Sequence, residues 1–193
     1  MYEFSESKIN AMSLYIWKMH NATQYRMLAP FAAQYSAVVG KRIEAMSEQD
    51  LKHCELLLEQ AEEDNDYSVG LHLYKNDVNF EQQDAKVLCI DILELVCGIE
   101  KQTEKLCKCE NFKQFYEISS RRQGYCESIM QYIEDGSLFG QNGNHVYFEC
   151  TSCGHLHYNY SGEQYKYFPE TCPVCNSSES AFIRYAFPGG WII

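Results

Sequence analysis

Two Cys-x-x-Cys pairs near the C-terminal end constrain this chain more than any other feature. Cys150-Thr-Ser-Cys153 is followed, after eighteen residues, by Cys172-Pro-Val-Cys175. Each pair presents two thiolates from a tight turn, and the small Gly154 after the first lets backbone amides point at the sulfurs. Four thiolates so arranged form a tetrahedral site for a single zinc or iron ion. Spacing alone does not separate the two metals. His155 and His157 flank the first pair, but four sulfurs already complete a tetrahedron. Both histidines are therefore expected near the site rather than as ligands.

The remaining cysteines point to the compartment. Of ten in 193 residues, Cys54, Cys89, Cys97, Cys107, Cys109 and Cys126 fall in helical stretches. They read as reduced thiols packed like small hydrophobes, which fits a reducing cytosol better than a disulfide framework. A net charge of −11 argues against nucleic acid or an anionic membrane as partner. No apolar run approaches the roughly 20 residues of a bilayer span, and no secretory signal is expected at the N-terminus.

Residues 5 to about 135 read as broken helix. The first segment, 5–38, carries Ile9, Met12, Ile16, Met19, Thr23 and Met27 at helical spacing, with Pro30 expected to kink or restart it. The second, 40–64, is apolar through Ile43, Met46, Leu51, Leu57 and Leu58. A polar connection, 62–79, leads to a third segment, 81–109, apolar through Leu88, Ile92, Leu95, Ile99 and Leu106. The fourth, 111–134, stops at Asp135-Gly136. Four helices with one long connection between the second and third describe a ferritin-like bundle over residues 1–136. Beyond it, Gly140, Gly143, Gly154 and Gly162 punctuate strand-like runs such as Val146-Tyr-Phe-Glu149. Residues 137–193 are expected as a small β-rich domain, with the boundary near 137–145.

The layout resembles rubrerythrin along nearly the whole chain. Tyr132-Ile-Glu-Asp-Gly-Ser-Leu-Phe139 looks like the end of that family's last bundle helix. Phe148-Glu-Cys150-Thr-Ser-Cys153-Gly-His-Leu-His157, the Cys172-Pro-Val-Cys175 knuckle, Ala181-Phe182 and a tail near Trp191 follow its rubredoxin-like domain. The resemblance implies a non-haem iron redox protein: a di-iron centre in the bundle reduces peroxide, and iron held by four cysteines relays electrons. It also implies a homodimer, in which one subunit's rubredoxin-like domain approaches the other's bundle, and a redox partner protein.

A di-iron bundle needs Glu from two helices and Glu-x-x-His from the other two. Asp50-Leu-Lys-His53 and Asp91-Ile-Leu-Glu94 fall at two of the family's ligand pairs, and His20 lies nearby. The remaining ligand positions carry Ala22 (or Asn21), Ser119 and Arg122, and a guanidinium cannot be a ligand. The bundle is thus expected to hold no metal, one ion at Asp50, His53, Asp91, Glu94 and His20, or an altered di-iron centre. Most favoured is Arg121 or Arg122 in buried salt bridges with those acids.

Tyr15, Tyr25, Tyr35, Tyr116, Tyr125 and Tyr132 are expected as bundle packing. Cys107-Lys-Cys109 reads as ordinary thiols. The apolar Phe187–Ile193 tail is expected to dock on its own metal module or at a dimer interface. Two functions compete. One is a cytosolic rubrerythrin-like electron-transfer protein linked to peroxide defence, with an altered or partly lost di-iron site. The other is a scaffold protein with structural zinc at the four cysteines.

Overall fold

The computed structural model describes residues 9–69, 84–108, 110–135, 146–159, 169–186 and 191–192. Cys109, Gly136, the expected boundary at 137–145, Gly162, residues 70–83 of the connection and segment start, and residues 187–190 and 193 of the tail lie outside them. The chain divides into two compact units, Met1–Gln82 and Gln83–Ile193.

In the first unit α1 (Ala11–Tyr35) and α2 (Ala37–Asp64) form a helical hairpin. Asn10 opens α1 by accepting the Ser13 amide at 2.9 Å. The helix continues through Pro30, on its exposed side, to Tyr35. The restart expected at Pro30 falls at Ser36 instead. Its amide donates to the Ala32 carbonyl, closing α1, and its Oγ accepts the Val39 amide, opening α2. Asn65, with φ 49°, ends α2 in the left-handed conformation. The register is antiparallel. The Cys54 thiol meets the Tyr15 carbonyl, Asp50 meets Lys18, and Ser47 Oγ donates to the Ala22 carbonyl.

The buried face of α1 is not the one the apolar spacing suggests. Leu14, Trp17, Lys18, Asn21, Ala22, Tyr25, Leu28, Ala29 and Ala32 are buried, whereas Met27 is 59 % and Met19 36 % exposed. The start of α2 approaches α1 closely at Ala29 and Ala33. A Cβ on Gly40 would lie 2.6 Å from Ala33 Cβ and 2.8 Å from the Ala29 carbonyl oxygen. Gly40→Ala should therefore lower the thermal midpoint. The overlap costs about 1–3 kcal/mol, more than helix propensity returns, and a calorimetric scan of the two proteins checks this.

In the second unit α3 (Ala85–Leu106), capped by Asp84, and α4 (Lys113–Glu134), entered through a 3₁₀ turn at Glu110–Phe112, form a second antiparallel hairpin. Leu88, Ile92, Val96 and Ile99 are buried on α3, as are Phe115, Tyr125, Ile129 and Ile133 on α4. Four short strands follow: β1 (Val146–Cys150), β2 (Leu156–Asn159), β3 (Phe182–Ala186) and β4 (Trp191–Ile192). They form one antiparallel sheet in the order β2-β1-β3-β4. Among the described residues its core is Phe148, Cys150, Cys172 and Phe182. The architecture is mainly α with a small β-rich ending, the element order of a ferritin-like bundle followed by a rubredoxin-like ribbon. No helix among the described residues is long and apolar enough to cross a membrane.

Candidate metal centre

The two cysteine pairs fold into matching turns. At the first, the Cys150 amide donates to the His155 carbonyl and the Gly154 amide to the Cys150 carbonyl. At the second, Cys172 bonds Ser177 and Asn176 bonds Cys172 in the same pattern. Each turn has a left-handed residue after its second cysteine, Gly154 (φ 79°) and Asn176 (φ 62°), which is where glycine or asparagine is tolerated.

β1 carries the first turn and the segment before β3 carries the second. Thr151 joins them, its amide and hydroxyl both donating to the Ala181 carbonyl. The four Sγ atoms all lie within 4.8 Å of one another. Cys150 and Cys175, and likewise Cys153 and Cys172, stand 3.6 Å apart. Metal–sulfur bonds of about 2.3 Å at tetrahedral angles place sulfurs about 3.8 Å apart, so the cage matches a mononuclear ion in size.

The protons on these thiols are unevenly held. Burial pushes Cys153 up, while the His155 amide at its sulfur acts the other way. Burial also raises Cys172, against amides of Cys175 and Val174. Burial acts to raise Cys175 too, but the Ser177 hydroxyl and amide and the neighbouring sulfurs outweigh it, drawing this thiol down to about 6. Cys175 ionises readily while Cys153 and Cys172 resist it, so a cation among the sulfurs is what lets them ionise together. A four-cysteine group able to bind one metal ion is therefore present. Cys150 and Cys172 are buried, whereas Cys175 is exposed and Val174 beside it is 66 % exposed.

The first turn sits against α4. A Cβ on Gly124 would overlap the Cys153 carbonyl oxygen, and one on Gly154 would overlap the Arg121 carbonyl oxygen. Tyr132 donates its hydroxyl to the Leu156 carbonyl at 2.6 Å. Ser128 Oγ accepts the Leu156 amide and meets His155 Nδ1, both at 3.2 Å. Arg121 Nη2 lies 3.7 Å from the buried Glu149 carboxylate. His155 and His157 are half-buried, and burial lowers the pKa of both. They flank the cage, and the clustered ligand atoms are sulfurs alone.

The helical acids have other partners. Asp50, fully buried, is 3.1 Å from the equally buried Lys18 ammonium and 3.5 Å from His53 Nδ1. His20 packs toward Trp17, ring centroids 6.2 Å apart, and burial lowers its pKa. In the second unit Asp91 is half-buried and Glu94 exposed. Arg122 pairs at 2.7 Å with Glu100, which has no exposed surface, not with Asp91 or Glu94 as expected. The antiparallel register of α3 and α4 sets this choice by placing position 100 against 122.

Lys18 and Glu100 are the residues that sequence reasoning missed. Both fall on helix-spaced buried faces, Lys18 four residues after Leu14 and Glu100 four after Val96, and a charge there needs a partner. The other positions expected by resemblance, Asn21, Ala22 and Ser119, are buried as well, and none supplies a carboxylate or imidazole.

No family model matches the chain, and no curated protein matches it. Solved structures of nigerythrin are similar to it. The mixed-valence state aligns at 14 % identity and TM-score 0.48, covering 96 % of this chain and 92 % of that one. The partially reduced state aligns at 15 % identity and TM-score 0.47, and the fully reduced, all-ferrous state at 15 % and 0.48, with the same coverage.

Proposed function

We propose that this chain is a rubrerythrin-like metalloprotein of a reducing cytosol whose four cysteines hold one redox-active iron, serving electron transfer in peroxide defence. The observation that carries this reading is the sulfur cage, with Cys150 and Cys172 buried and Cys175 exposed. Iron bound there would exchange one electron between its ferric and ferrous states. The chain's own residues do the rest. Amides of His155, Val174, Cys175 and Ser177 bond the sulfurs. Burial of Cys150 and Cys172 keeps water from two ligands. Exposed Cys175 and Val174 offer a short path to a redox partner protein. A homodimer belongs to the same reading by resemblance only.

The donor set of the helices does not fit a di-iron centre. Of the acids at ligand positions, Asp50 is already matched by Lys18, which a metal would have to displace, and the position at Arg122 carries a cation paired with Glu100. These pairs favour a second reading, a non-enzymatic scaffold with structural zinc at the cysteines, because a relay without a bundle centre has nowhere within the chain to send its electron. Elemental analysis should give one metal per chain on either reading, and three per chain would sink both. Protein isolated aerobically should be red from thiolate-to-ferric absorption. A colourless zinc protein would discard the electron-transfer reading and leave the scaffold.

A further inference from the structure

The first cysteine turn and α4 meet where neither tolerates a side chain. Gly124 and Gly154 bring the backbone of helix and turn together, Gly124 facing the Cys153 carbonyl oxygen and Gly154 the Arg121 carbonyl oxygen. Contacts continue along the helix in both directions. Arg121 reaches Glu149, Ser128 takes His155 and the Leu156 amide, and Tyr132 takes the Leu156 carbonyl. Positions 121, 124, 128 and 132 are spaced for one face of a helix. Among the described residues the second turn has no such cover, with Pro173, Val174 and Cys175 exposed.

We propose that α4 of the same chain is the permanent seat of the four-cysteine module, clamped through Gly124 and Gly154, so that metal loading and ordering of the α3–α4 hairpin are one cooperative event. The proposal goes beyond the function above and holds for iron and zinc alike. Glycine inside a helix costs stability relative to alanine. Among the described residues nothing lies within 4 Å of the missing Cβ at Gly98 of α3, whereas at Gly124 the knuckle backbone fills the place. The knuckle in turn depends on the metal that gathers its cysteines. A ligand that binds only the folded form stabilises whatever folds with it, and here that includes α4. The seat is filled by the chain's own module, so a second copy cannot place its module on the same face.

Gly124→Ala and Gly98→Ala, made in the full zinc-loaded chain, are the same change in two helices with opposite expected signs. Gly98→Ala should leave the thermal midpoint unchanged or raise it. Gly124→Ala should speed amide exchange at residues 150–156 and weaken zinc binding against a competing chelator, each about tenfold or more. If Gly124→Ala behaves like Gly98→Ala, the clamp does not exist.

Should Gly124→Ala fail to fold, Tyr132→Phe removes a single oxygen and should still speed exchange at 150–157 several-fold while α1 and α2 keep theirs. No change there overturns the proposal. In the wild-type chain, chelation should accelerate exchange at 121–132 about tenfold; unchanged protection would show module and helix to be independent. Protection at 150–157 should also survive hundredfold dilution, and its loss would move the seat to a second copy.

Discussion

Lys18→Met should destabilise the protein by about 3–5 kcal/mol, because it leaves the Asp50 carboxylate buried without its cation. Neither side chain has any exposed surface, so water cannot solvate the orphaned charge. Adding Asp50→Leu should recover most of the loss, since two apolar side chains of similar volume replace a buried pair at little cost. Denaturant melts of the two single variants and the double variant close the cycle. Arg122→Met should behave likewise through Glu100. The experiment also tests the metal question. If Asp50 were a metal ligand, removing the competing ammonium would strengthen binding, and added ferrous or zinc ion would stabilise Lys18→Met more than the parent. The expected result is that neither ion does.

Loss of the cysteine-bound metal should have the larger effect, though a local one. Structural zinc in small peptides contributes about 10–16 kcal/mol of apparent binding energy near neutral pH, and that energy is folding energy. Among the described residues the sheet's core is Phe148, Cys150, Cys172 and Phe182, and two of those four are cysteines that the metal gathers. Chelation, or Cys172→Ser, should therefore unfold the module. Limited proteolysis should then cut within residues 146–186 while the α1–α2 hairpin resists. The pH dependence has a definite sign. Loading removes protons from the thiols, so metal-derived stability falls as pH falls. Retention of a protease-resistant module after chelation would show that the sheet stands without metal.

The helices were legible in the sequence to within a few residues, because period and caps are local properties. Which face turned inward was not. On α1 the apolar series Met12, Ile16, Met19, Met27 pointed to the wrong side, and the face that α2 covers carries Leu14, Trp17, Lys18, Ala22 and Tyr25 instead. Charges show the same limit. Arg122 could be read as unfit to bind metal from its chemistry alone, but its partner Glu100 follows from how α3 and α4 slide against each other. The glycines are plainer still. Gly98 and Gly124 look alike in sequence, each interrupting a helix, and only the second has a backbone pressed against it.

The sequence by itself determined the four-cysteine site. Four sulfurs on two short turns need only local geometry, Gly154 and Asn176 in left-handed conformation, to face one another. Tertiary structure alone decided the rest: that Lys18 and Arg122 neutralise the buried acids, and that the first turn rests on α4. The reason is physical. Ligand spacing within a turn is fixed by the covalent chain, whereas the partner of a buried charge, or the surface that closes over a glycine, depends on the packing register of elements distant in sequence.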